Sequence, residues 1–250
     1  MKLIDTQLID IQHLDDGLVE RRFTLDGIPG VLWTPSASEE PDDAVPLILL
    51  GHPGGLDAMR PRLLARAAGA ARSGFASAAL ELPGGGDRPR IPELDAARAD
   101  LRSAMTAGEP LGAIVERLVV PLVEQAEREH RTLLDSLLRL PQLREPVGLS
   151  GGLISLGIRL ALAEPRIVAA GLFAGTFVPA SMVEEARRVT IPLHVLLQWD
   201  DESHNRQEML DLFDAFGSSE KTLYASLGGH TGVPAHAGED VARFFERHLR

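Results

Sequence analysis

Ser150 stands in Gly148-Leu149-Ser150-Gly151-Gly152, between a short apolar run and an amphipathic helical pattern. Gly-x-Ser-x-Gly between strand and helix is the pattern of a nucleophile elbow, a sharp turn that strains the serine backbone and lifts its hydroxyl over the end of a sheet. Gly148 and Gly152 lack the Cβ atoms that would collide across such a bend. The Gly151 amide is then expected at a helix N-terminus, pointed where an oxyanion forms. A serine hydroxyl is a weak nucleophile at neutral pH, so it needs a base within hydrogen-bond reach and an acid to fix that base's tautomer. Both are offered later in the chain, each at the end of a strand-like run. Asp200, Asp201 and Glu202 follow the run 191–199, and Gly228-Gly229-His230 follows the run 221–226. All three acids share one turn, and any of them could instead cap the helix that begins near Asn205. His236 is the rival base, but His230 directly follows the strand and the two glycines. The remaining histidines read as structural (His52, His194) or as surface residues (His13, His130, His248).

The other half of an acyl-transfer site is a set of donors for the oxyanion. Gly51-His52-Pro53-Gly54-Gly55 follows the first continuous apolar run. Pro53 has no N–H, so the donor there is Gly54 or Gly55, joined by Gly151; one such donor is typically worth ~3 kcal/mol of transition-state stabilisation. Pro83-Gly84-Gly85-Gly86-Asp87 lacks the Lys and Ser/Thr of a phosphate-binding P-loop and reads as a loop rimming the pocket. Asp200, Asp201, Glu202 and His204 could also be taken for a metal cluster, but hard ligands crowded on one turn make a weak site. No metal and no cofactor are expected.

These residues need a scaffold, and the chain spells one out. The first thirty-five residues read as two or three strands with tight turns at 15–17 and 26–27. Residues 45–50 form a continuous apolar run, as expected of a strand buried on both faces. A helix over 60–73 ends at Gly74, and a strand over 75–82 follows, implying a right-handed parallel crossover. After the elbow the alternation continues: strand 146–150, helix 151–163, strands 167–173 and 192–199, helix 205–216, strand 221–226, helix 237–249. Residues 90–145 carry only helical signals, with a break or kink expected at Pro121. That is more than one crossover helix requires, so a small cap-like insertion is expected there, within a single domain spanning 1–250. The fold class is α/β: a mostly parallel twisted sheet with helices on both faces.

Composition narrows the partners. The 250 residues carry a formal charge of −11, which repels nucleic acids and anionic membranes. No cysteine is present, excluding disulfides and a thiolate nucleophile. No apolar run approaches a membrane span and no basic–apolar leader opens the chain, so the expected location is the cytoplasm.

Taken together, the glycine loop at 51–55, the elbow at 148–152, the acid turn and the Gly229-His230 loop resemble the α/β-hydrolase superfamily over about 45–250. Within it the chain looks most like the dienelactone-hydrolase-like and prolyl-oligopeptidase-like bacterial esterases. In such relatives the acid loop reads Gly-x-x-Asp, which registers on Gln198-Trp199-Asp200-Asp201 and selects Asp201. Gln198 departs from the glycine usual there. The resemblance implies a triad of Ser150, Asp201 and His230 that cleaves small or medium carboxylic esters through an acyl-enzyme. Leu94, Leu101, Met105, Leu111, Ile114 and Leu118 would line an apolar acyl pocket. Two alternatives stand beside this reading: a peptidase or amidase on the same triad, and a ligand-binding protein that kept the fold. The expected partner is a small-molecule ester, and oligomeric state is left open, a homodimer included.

Overall fold

Alternating and continuous apolar runs set the layers of the molecule, which we describe from a computed structural model covering residues 6–14, 17–39, 44–151, 153–173, 177–202, 205–230, 233–234 and 236–250. The acidic turn expected at Asp15 and Asp16 lies outside the described residues. Three N-terminal strands form a meander: β1 (Thr6–Leu14), β2 (Leu18–Leu25) and β3 (Ile28–Pro35). Then come β4 (Val45–Gly51), α1 (Leu56–Arg72), β5 (Ala76–Leu80), α2 (Pro92–Ala107), α3 (Gly112–Leu137) and β6 (Leu143–Gly151). The chain closes with α4 (Ile154–Ala163), β7 (Ile167–Phe173), α5 (Ala180–Ala186), β8 (Leu193–Gln198), α6 (Arg206–Ala215), β9 (Lys221–Ser226) and α7 (Ala237–Leu249).

Among the described residues nine strands form one sheet in the order β1-β2-β3-β5-β4-β6-β7-β8-β9, antiparallel through β5 and parallel from β5 onward. Strand parity sorts the side chains, because successive residues leave opposite faces. Val147 and Leu149 of β6 join the core formed with α2 to α6. Leu50 of β4 joins Leu63 and Ala67 of α1 and Phe244, Phe245 and Leu249 of α7 on the other face. Gly148 also faces that second layer, where an added Cβ would stand 2.8 Å from Phe245.

Three features differ from the sequence expectations. Helix α3 runs unbroken past Pro121. A proline in a helix interior costs about 3 kcal/mol, and Val119, Leu122, Val123 and Ala126, all buried around it, offset that through packing. His130, expected at the surface, is buried on the inner face of α3 and donates its Nδ1 hydrogen to the Ala126 carbonyl at 2.7 Å. Most consequential, β6 extends through Gly151 and α4 begins only at Ile154, so Ser150 lies within the strand rather than at its turn into the helix.

Candidate functional site

Parallel strands end together at one rim of a sheet, and the loops leaving that rim carry the chemistry of open α/β folds. Here two of those loops meet. The turn after β8 brings the Asp201 Oδ2 atom to 2.9 Å from His230 Nδ1 in the loop after β9. The Asp201 side chain is 3% exposed and that of His230 41%, so the acid is covered while the ring reaches solvent. A carboxylate only accepts, so Nδ1 carries the hydrogen and Nε2 is the acceptor nitrogen of the neutral ring.

The neighbours of this pair are held for it. Gln198, the buried last residue of β8, donates from Nε2 to the His230 carbonyl at 3.0 Å, which explains a long amide in place of a glycine. Asp200 braces the facing loop instead of touching the ring: its amide donates to the Gly228 carbonyl at 3.2 Å. Gly228 takes φ +133, a conformation that side chains disfavour. His236 bonds Tyr224 Oη at 2.6 Å. Among the described residues no three potential metal ligands cluster, and His204 lies outside them.

Ser150 is not brought to this pair. It is a ladder residue of β6, opposite Leu50 and Gly171, and Gly171 is opposite His194 of β8. His194 lies four residues before Gln198, so at roughly 3.3 Å per residue β8 runs about 13 Å beyond the level of Ser150, which is itself one residue from the end of β6. Residues opposite one another in a ladder share a face, and Ser150 therefore faces α1 and α7. Its hydroxyl accepts from Arg66 Nη2 at 3.1 Å. The strained backbone expected at Ser150 is also absent: among described non-glycine residues only Asp26 and Phe177 have positive φ. Arg66 staples the strands it touches, donating to the Gly51 carbonyl at 3.1 Å and to the Ser150 carbonyl, with its guanidinium 4.8 Å from the Phe173 ring centroid. Burial pulls its pKa down to about 10.

The junction from strand into helix holds Leu153, the N-cap of α4, at φ −89, so it does not carry an elbow's strained backbone either. Leucine provides no cap hydrogen bond. Gly151 belongs to the ladder, and an added Cβ there would lie 2.5 Å from the Gly51 Cα. Close strand approach thus explains that glycine, and Gly152 lies outside the described residues.

Gly55 is the N-cap of α1, and Gly54 precedes it at the end of the 52–55 loop. Glu81, a buried carboxylate that sequence reading passed over, ties this loop to 82–86 by accepting from the amides of Leu56 at 2.7 Å and Leu82 at 3.1 Å. A Cβ on Gly86 would lie 2.2 Å from Glu81 Oε2 and one on Gly85 2.7 Å from Oε1, so two of the three glycines of the 83–87 loop make room for this carboxylate.

A cavity of about 660 Å³ opens between α3, the 177–184 segment and α6, reaching Asn205 at the N-cap of α6. Leu111, Val115, Phe177, Val183, Met209 and Leu212 supply its apolar wall. Phe177 holds φ 56, a left-handed conformation costing roughly 1–2 kcal/mol for a non-glycine residue. Of the insertion residues expected to line an acyl pocket, Leu111 does so; Leu94 and Leu101 are core residues and Met105 is exposed.

This architecture is the α/β-hydrolase fold. Solved structures similar to the chain include esterases. A cold-adapted esterase from an Arctic intertidal metagenomic library, in its zinc-bound form, is 25% identical with a TM-score of 0.70, over 98% of this chain and 100% of that one. Acetyl xylan esterase 1 from Thermoanaerobacterium is 14% identical with a TM-score of 0.62, over 96% and 86% of the two chains. An acetyl xylan esterase from Paenibacillus is 15% identical with a TM-score of 0.63, over 98% and 89%. No protein-family model and no curated protein matches the chain.

Proposed function

We propose that this protein hydrolyses carboxylic esters of small or medium size, using the Asp201–His230 pair as general base on a water molecule. The observation that carries this reading is the 2.9 Å contact between His230 Nδ1 and Asp201 Oδ2 on a fold shared with esterases. His230 Nε2 takes a proton as the water oxygen bonds to the ester carbonyl, giving a tetrahedral oxyanion and an imidazolium held by Asp201. Collapse breaks the bond to the alcohol oxygen, which receives that proton. The first-turn amides of α4 and those of Gly54 and Gly55 are the donors proposed for the oxyanion. The cavity between α3 and α6 is proposed to take the apolar part of the substrate.

Ser150 has no place in this scheme, because its hydroxyl is engaged by Arg66 on the α1 side of β6. Turnover of short-chain nitrophenyl esters is therefore expected in wild type and Ser150→Ala but not in His230→Ala. A fluorophosphonate should leave Ser150 unlabelled. Labelling at Ser150, with loss of turnover in Ser150→Ala, would return the chain to an acyl-serine mechanism. A second reading, a binding protein without turnover, is favoured by Leu153 at the junction from strand into helix. It predicts ester binding that is equal in wild type and His230→Ala, with no hydrolysis in either.

A further inference from the structure

Strand β1 buries almost nothing against its own chain. Seven of its nine residues are exposed, and Leu8, Ile9 and Ile11 are 52%, 62% and 45% exposed. It ends the sheet, pairing with β2 along one side, so the other side offers a row of backbone donors and acceptors without a ladder partner among the described residues. Edge strands of natural proteins are blunted by charge, proline or shortness. This one is long, has no lysine, arginine or proline, and carries three exposed large aliphatic side chains.

We propose that β1 is the surface on which a second copy of this chain docks, edge to edge and antiparallel, with Ile11 opposite the partner's Ile11 on the two-fold axis. A two-fold axis perpendicular to a sheet sets one residue of the edge against itself. Centring on Asp10 opposes two carboxylates, and centring on Ile9 uses the point where the β1–β2 register shifts, between Leu8 and Asp10. Centring on Ile11 avoids the first and moves the second off the axis. It opposes two aliphatic side chains at the axis and sets Asp10 across from an amide, Gln12, and Ile9 across from His13. The edge is thus complementary to itself, which is what a second copy supplies. A charge of −11 on each copy opposes the approach, so added salt should tighten the dimer.

The absence of cysteine makes the test direct. Directly opposed residues in an antiparallel pair have Cα atoms about 4.5–5.5 Å apart, within disulfide reach. Ile11→Cys is expected to cross-link to its copy under mild oxidation, while Met105→Cys, an equally exposed site on α2, is not. In sedimentation equilibrium, Ile11→Lys should weaken the dimer about tenfold or more by opposing two ammonium groups. A wild-type chain that stays monomeric at its highest soluble concentration overturns the proposal. So does a dimer indifferent to Ile11→Lys whose Ile11→Cys form fails to cross-link.

Discussion

His230 donates to Asp201 from Nδ1, while the Ser150 hydroxyl accepts from Arg66 across the sheet. Asp201→Asn keeps the shape but presents an amide that can hold the ring in the wrong tautomer. General-base catalysis typically contributes 10²–10⁴-fold, so the expected result is a fall in kcat within that range and little change in KM, read from nitrophenyl ester kinetics. Ser150→Ala removes one hydrogen bond from a guanidinium that keeps its two carbonyl partners. The expected loss is about 1 kcal/mol, or a Tm lower by roughly 2–4 °C, with turnover retained. Leu153→Ser tests the junction from the opposite side. A hydroxyl placed at the α4 N-cap should gain fluorophosphonate labelling at residue 153, and a variant that folds yet stays unlabelled would remove position 153 from the neighbourhood of the base.

Strands and helices were legible wherever the chain repeats with a clean period, and their junctions were not. The runs at 45–50 and 167–173 announce β4 and β7 because nothing competes with a short apolar stretch bounded by turn signals. At 148–152 two readings compete: glycines can end a strand in a tight turn, or let two strands lie close. The register decides for the second, with Gly151 set against Gly51. Gly151→Ala would drive its Cβ to 2.5 Å from backbone that cannot rotate away, and a destabilisation of about 1–3 kcal/mol is expected from urea unfolding. Gly112→Ala, with nothing within 4 Å of the added atom, is the control and should be neutral or stabilising. The acid turn and the histidine loop were readable for a different reason: each follows a strand at once, which leaves little freedom in where it lands. Arg66, Gln198 and Glu81 were not readable, because each acts on a segment remote in the chain that only the folded sheet brings near.

Across the whole molecule, buried histidines tie stability to acidity. Burial on α3 lowers the His130 pKa from its ordinary 6.5 to about 4, and burial lowers that of His194 as well. Between those two values the unfolded chain binds a proton at residue 130 that the folded chain refuses. Stability therefore rises with pH across this window: the contribution of His130 is complete above about pH 6.5 and is lost as pH falls towards 4. A shift of this size corresponds to about 3 kcal/mol, a large part of the margin of an ordinary domain. His130→Gln keeps a donor for the Ala126 carbonyl and cannot titrate. The urea midpoint should fall from pH 7 to pH 5 by more in wild type than in His130→Gln, whatever the variant loses at pH 7. Equal slopes in the two proteins would assign the acid sensitivity to other groups, with His194, stacked against Phe244 of α7, the next to replace.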